Sequence, residues 1–276
     1  MQIDSHHHFW NYDPVQYDWI GPDMSVLRRD FLPAHLAAEI ERAGIDGVVS
    51  VQARQSIEET TRLIELAAEF DFIRGVVGWI PLTSPDVEAV VESLTQSPWL
   101  KAVRHVVQDE PDEEFILGAD FNRGISQLQQ FGLVYDILIY AKHLANSIRF
   151  VDQHPNQPFV LDHIAKPTIR GTEFHAAWAA GLRELARRDH VTCKFSGVVT
   201  EVRDGEWSPE LIRRYWDVAI EAFGPKRLMF GSDWPVCLLR TGYGNWVATV
   251  REFIADLSAD EQADIMGTNA VRAYSL

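Results

Sequence analysis

Cysteine is nearly absent. Cys193 and Cys237, the two present in 276 residues, provide no disulfide framework; each lies in or just after an apolar strand-like segment, where a buried free thiol is expected. Basic residues are scarce beside acidic ones, 25 Lys and Arg against 40 Asp and Glu, for a formal net charge of −15. No basic run interrupts that surplus, so the chain repels a phosphate backbone and nucleic acid is excluded as an expected partner. No apolar stretch is long enough to span a bilayer, and the N-terminus lacks the basic and apolar regions of a secretory signal. The expectation is no membrane partner and a cytoplasmic location. A Pro/Gly/Ser-rich linker, a low-complexity tract and a tandem repeat are also missing, which predicts one domain over residues 1–276.

What is present is an alternation. Apolar residues make up 46% of the chain, enough for a sizeable core, and they fall into short β-branched runs at 1–4, 47–52, 73–79, 100–107, 133–140, 159–161, 191–195 and 227–231. Segments of helical period separate them at 33–43, 57–70, 85–95, 121–131, 142–153, 173–188, 209–223 and 245–257. Eight strand-then-helix units with near-continuous apolar strands predict a parallel sheet covered by helices, closed as an α/β (β/α)8 barrel. No G-x-G-x-x-G follows the first strand, as an open dinucleotide-binding sheet would favour. An extra C-terminal helix is expected at 261–274, entered from Ser258-Ala259-Asp260. The long segment 11–31, with Pro14, Tyr17, Trp19, Gly21 and Pro22, is expected to cover the barrel mouth as a lid or wall.

The chemistry concentrates where barrel strands end. Ile3-Asp4-Ser5-His6-His7-His8-Phe9-Trp10 places His6 and His8 on one side of an extended segment and His7 on the other. Met229-Phe230-Gly231-Ser232-Asp233-Trp234-Pro235 ends an apolar run at a single carboxylate, and His163 follows the run Val160-Leu161. In a barrel these ends converge on one mouth. His6, His8, His163 and Asp233 are there suitable ligands for one divalent ion, zinc foremost, with an open position for water or a carbonyl.

Together with Lys101-Ala102-Val103-Arg104-His105, Asp162-His163-Ile164-Ala165-Lys166-Pro167 and Cys193-Lys194-Phe195-Ser196-Gly197, these segments make the chain resemble the amidohydrolase superfamily along essentially its whole length. Within it, the chain is similar to the sugar-lactone hydrolases. The resemblance implies a distorted TIM barrel with His6, His8, His163 and Asp233 around the reacting carbonyl. Strand four offers Arg104-His105 where a bridging lysine would stand, and strand five has no histidine, so one metal at most, or none, is expected. The reading that follows is hydrolysis of a neutral sugar lactone. Asp233 serves as base, the three histidines stabilise the oxyanion directly or through the ion, and Trp10, Trp79, Arg104, His105, Tyr140 and Lys166 contact the substrate. The alternatives are a metal-dependent non-oxidative decarboxylase and a catalytically silent sugar-binding protein.

Overall fold

A computed structural model describes residues 1–276. Its eight strands are β1 (Ile3–His7), β2 (Gly47–Val51), β3 (Ile73–Gly78), β4 (Leu100–His105), β5 (Val134–Ile137), β6 (Phe159–Leu161), β7 (Val191–Phe195) and β8 (Leu228–Phe230). They pair in parallel, each with the next in sequence, into one eight-stranded sheet. Parallel neighbours need long crossovers. Eight helices supply these or follow the last strand: α1 (Pro33–Ala43), α2 (Ile57–Glu69), α3 (Val87–Leu94), α4 (Ala119–Leu128), α5 (Leu144–Gln153), α6 (Ala176–Ala186), α7 (Pro209–Phe223) and α8 (Tyr243–Phe253). Between the last strand and the first, the seam is held by a parallel bridge at His7 and Trp234 instead of a regular ladder.

Local chemistry starts the helices. Ser56 and Ser208 accept the backbone N–H groups of Glu59 and Leu211 at the starts of α2 and α7, and Pro33 and Pro209 fix the first turns of α1 and α7. The expected C-terminal helix is interrupted. After α9 (Ala259–Ala263) comes a π-helical turn, Asp264–Thr268, and then α10 (Asn269–Tyr274).

Two apolar cores result. The larger fills the space between sheet and helices. A smaller one lies inside the barrel, where Ile3, Val49, Val51, Val77, Ala102, Val134, Val160 and Met229 pack with Ala270 and Tyr274 of α10. The last helix therefore plugs one end of the barrel and leaves the chemistry to the other. No helix is long and apolar enough to cross a membrane.

Candidate active site

β1 extends beyond its expected end, and its pairing with β2 shifts register between Asp4 and His7. His7 points outward, its Nε2 lying 2.9 Å from Ser50 Oγ and its ring 4.4 Å from that of Phe9. His6 and His8 turn toward the barrel mouth, their rings 5.0 Å apart. The Asp4 carboxylate lies across the seam, where Oδ1 accepts the backbone N–H groups of His6 at 3.1 Å and Ser232 at 2.8 Å. Burial pushes Asp4 up to about 6 against those hydrogen bonds. Asp233 N–H donates to His6 O at 2.7 Å, and His8 N–H to Trp234 O at 2.7 Å. The two motifs furthest apart in sequence are thus stitched into one surface, with Asp233 Oδ1 3.3 Å from His8 Nε2 and 3.8 Å from His6 Nε2.

His163 arrives by an unusual turn. His163, Ile164, Ala165 and Lys166 have φ of 53°, 48°, 60° and 46°, and Asp233 has 58°; among non-glycine residues only Ser275 shares the sign. Left-handed backbone costs an L-residue roughly 1–2 kcal/mol, and strain concentrated in this way is characteristic of functional sites. Burial of Ile164 and the Trp178 indole N–H, which donates to Ile164 O at 2.6 Å, hold the turn. It aims both His163 and Lys166 into the mouth. His163 Nδ1 lies 2.9 Å from Ser196 Oγ, and its ring is 4.4 Å from that of His6. Gly197, at φ 64°, leaves room beside them: a Cβ there would lie 2.7 Å from His163 Nδ1 and 2.8 Å from Asp233 Oδ2.

Electrostatics divides the labour. Burial lowers His6 well below its usual range and His163 to about 4, so both are neutral at pH 7. Burial alone would raise Asp233, but its histidine and lysine neighbours outweigh it and hold the group below the usual carboxylate value. The Asp233 carboxylate is thereby set beside the neutral rings of His6 and His163.

The donors fit a single divalent ion. One ligand atom each from His6, His8 and Asp233 lies within a 4.8 Å group, and all three residues are buried. His8 Nδ1 is 2.8 Å from Val51 O and donates to it, so that Nε2 is the nitrogen turned to Asp233 Oδ1, 3.3 Å away. In a neutral ring the Val51 carbonyl selects the Nδ1–H tautomer, which frees Nε2 to ligate as a metal-binding histidine requires. His163 is outside this group and belongs to a second one with His6 and Asp162, so the four expected ligands divide into three and one.

Above lies a cavity of about 830 Å³. His8, Arg104, His163 and Asp233 line it, as do Tyr140 and Lys166. Val15, Trp19 and Met24 from the loop after β1 form an apolar wall. Its charges balance, Arg54, Arg104, Lys166 and Arg203 against Asp18, Asp109, Glu201 and Asp233, so the mouth does not share the chain's acidity.

Three residues expected to contact substrate, Trp10, Trp79 and His105, lie elsewhere than the cavity lining. Trp10 is buried beneath the loop, its indole N–H donating to Arg29 O at 2.9 Å. The Trp79 indole N–H points to His105 Nδ1 at 3.3 Å, while His105 Nε2 lies 2.6 Å from Glu110 Oε1 and its ring stacks on Phe115. Glu201 and Arg203 line the cavity without having been singled out. They sit in an aperiodic turn after β7, where no sequence pattern marks the inward side.

Comparison with known proteins matches this geometry to a family. The amidohydrolase family model matches residues 3–276. An L-fucono-1,5-lactonase of Burkholderia multivorans is 42% identical over 100% of this chain and 96% of its own length. A second L-fucono-1,5-lactonase, from Burkholderia ambifaria, is 32% identical with the same coverages, 100% and 96%. The crystal structure of a Burkholderia multivorans amidohydrolase with bound zinc superimposes with a TM-score of 0.95 at 41% identity, covering 100% of this chain and 99% of that one.

Proposed function

The chain belongs to the amidohydrolase family, and from that premise we propose that it is a lactonase opening the cyclic ester of a sugar acid, with L-fucono-1,5-lactone the first substrate to test. The observation carrying this reading is its 42% identity to an L-fucono-1,5-lactonase across the full chain. The cavity supports it. A charge-balanced mouth with an apolar wall suits a neutral polyhydroxylated ring, whose hydroxyls Arg54, Tyr140, Lys166 and Glu201 can bind while Trp19 packs on its apolar face.

The chemistry starts at Asp233, ionised at neutral pH and the one carboxylate beside both His6 and His8. It takes a proton from water as the oxygen attacks the lactone carbonyl. The carbonyl oxygen gains negative charge opposite the Arg104 guanidinium and the His163 imidazole, buried groups that line the cavity and are held in place before the reaction. Arg104 is fixed by its ion pair with Asp162 at 2.9 Å. Collapse of the tetrahedral intermediate breaks the bond to the ring oxygen, which receives the proton back from Asp233, and the product is the open hydroxy acid. A single divalent ion, if bound, would be held by His6, His8 and Asp233 and would supply Lewis-acid polarisation of the carbonyl. Elemental analysis of the purified protein should find no more than one ion per chain.

Acid release from a panel of aldonolactones, pyrone dicarboxylates and aromatic carboxylic acids tests the proposal. Preferred opening of neutral aldonolactones is expected. Carbon dioxide from aromatic acids with every lactone inert would replace this reading with decarboxylation, and binding of lactones without turnover would make the chain a sugar-binding protein.

A further inference from the structure

At the cavity floor, the barrel interior holds an ion cluster of which the proposed reaction employs only Arg104 and its partner Asp162. Arg104 comes from β4, Asp136 from β5, Asp162 from the residue after β6 and Lys194 from β7. All four are 4% exposed or less. Lys194 Nζ lies 2.6 Å from Asp136 Oδ2, 3.0 Å from Asp162 Oδ1 and 3.2 Å from His6 Nδ1. On the other side of the same ring, Arg104 Nη1 is 3.3 Å from His6 Nε2. A neutral imidazole has one N–H and one lone pair, so with Nδ1–H directed to Asp162 Oδ1 at 3.3 Å, Nε2 accepts from Arg104, and Lys194 beside Nδ1 pins the Asp162 oxygen that receives the ring proton.

The cluster carries no net charge, two cations against two carboxylates with His6 neutral. Burying four ions is costly, and well-packed apolar replacements of such sets are often neutral or stabilising. Its contribution to stability is therefore a weak account of its presence. Placement is a stronger one, because every connection leads to the one histidine that faces both His8 and His163.

The cluster also reaches the end of the chain. Tyr274, 1% exposed in α10, donates its hydroxyl to Asp136 Oδ2 at 2.8 Å, and Lys194 Nζ sits 5.3 Å from its ring centre. A continuous path runs from the helix that plugs the barrel through Tyr274, Asp136 and Lys194 to His6. We infer that Lys194 is a positioning residue that sets the orientation of the His6 ring, and that Tyr274, through Asp136, holds Lys194 in place. The inference depends on the proposed lactonase reaction only in treating His6 as part of the catalytic machinery.

Two variants and two readouts test it. Lys194→Met combined with Asp136→Asn removes one charge of each sign, so no buried ion is left uncompensated, and Asn can still accept from Tyr274. Tyr274→Phe removes a single hydroxyl. Ring ¹⁵N signals of histidine-labelled protein, with His6 assigned by their loss in His6→Gln, report the imidazole independently of turnover. In the paired variant, kcat should fall on the order of 100-fold, as for a misplacement of about 1 Å, with KM within about threefold. The His6 signals should shift toward the averaged positions of a ring exchanging between tautomers. Tyr274→Phe should show the same change in miniature, a kcat loss of about fivefold for one hydrogen bond. Parental kcat in the paired variant would overturn the inference. So would a kcat loss with unchanged His6 signals, which would make the cluster a scaffold only. Should the paired variant fail to fold, Tyr274→Phe decides by the same two readouts. A parent that opens no lactone would refute the proposed function, while the ring signals would still test the positioning role.

Discussion

Replacing Gly197 by alanine separates backbone strain from displacement of the active site. At φ 64° the new side chain incurs the left-handed penalty of roughly 1–2 kcal/mol. Its Cβ would also lie 2.7 Å from His163 Nδ1 and 2.8 Å from Asp233 Oδ2, where ordinary contact begins at 3.4 Å. One or both side chains must therefore retreat by about 0.6–0.7 Å, the difference between those distances. A shift approaching 1 Å in a catalytic group is of the size that costs about 100-fold in rate. The chain contains its own control, because Gly205 has φ 71° and nothing within 4 Å of its would-be Cβ. Gly205→Ala should lose the same roughly 1–2 kcal/mol in urea unfolding and keep parental kcat/KM. Gly197→Ala should lose at least that stability and, in addition, about 100-fold in kcat/KM. Equal activities in the two variants would show that His163 and Asp233 tolerate displacement, and the tight site geometry would lose its claim to function.

Asp233→Asn keeps the side-chain shape and a residue type tolerant of left-handed backbone but removes the base, so kcat should drop on the order of 100-fold or more with the melting transition little changed; near-normal turnover would assign the base elsewhere. His8→Ala should abolish most activity, whereas His7→Ala, which loses its contact with Ser50 outside the mouth, should reduce stability more than turnover; the opposite ranking by steady-state kinetics would invert the register of β1. Burial raises Glu59 to about 7 despite hydrogen bonds from the Arg54 and Ala53 backbone and the Tyr17 hydroxyl. The folded state therefore holds a proton that the unfolded chain releases above its usual value of 4.5, and the group's contribution to stability falls as pH rises from about 4.5 to 7, then levels off. Glu59→Gln, whose amide can donate to the Tyr17 oxygen, should remove that fall, so that urea unfolding at pH 4.5 and 7.5 shows the parent losing on the order of 3 kcal/mol relative to the variant; parallel pH dependences would refute the buried proton.

Alternation made much of this site readable. Two-residue periodicity separates His6 and His8 from His7, and it also places Arg104, Asp136 and Lys194 on the inward side of their strands, two positions beyond Ala102, Val134 and Thr192. It does not say which of these ions meet, because that depends on the stagger between strands. Nor does periodicity extend past a strand end. Trp10 and Trp79 follow the last inward positions of their strands, where the chain is already turning, and the tryptophan that reaches the cavity is Trp19, far along the loop. Glu201 and Arg203 show the same limit from the other side, being inward-facing residues of a turn whose course is set by tertiary packing. The left-handed run from His163 to Lys166 was the least foreseeable, since neither Ile164 nor Ala165 favours positive φ.

The seam between β8 and β1 has a consequence for when this protein becomes competent. Asp4 and Ser232, which share a hydrogen bond, are 228 residues apart, so the contact closes a loop of most of the chain. During synthesis, residues of the first strand leave the ribosome long before the last strand exists, and they must wait with three histidines and an unmet carboxylate until it arrives. Closing so long a loop is among the slowest kinds of contact to form. A fragment ending before β8 lacks both Asp233 and the Ser232 N–H that meets Asp4, and so cannot assemble this site however many of its strands have already paired.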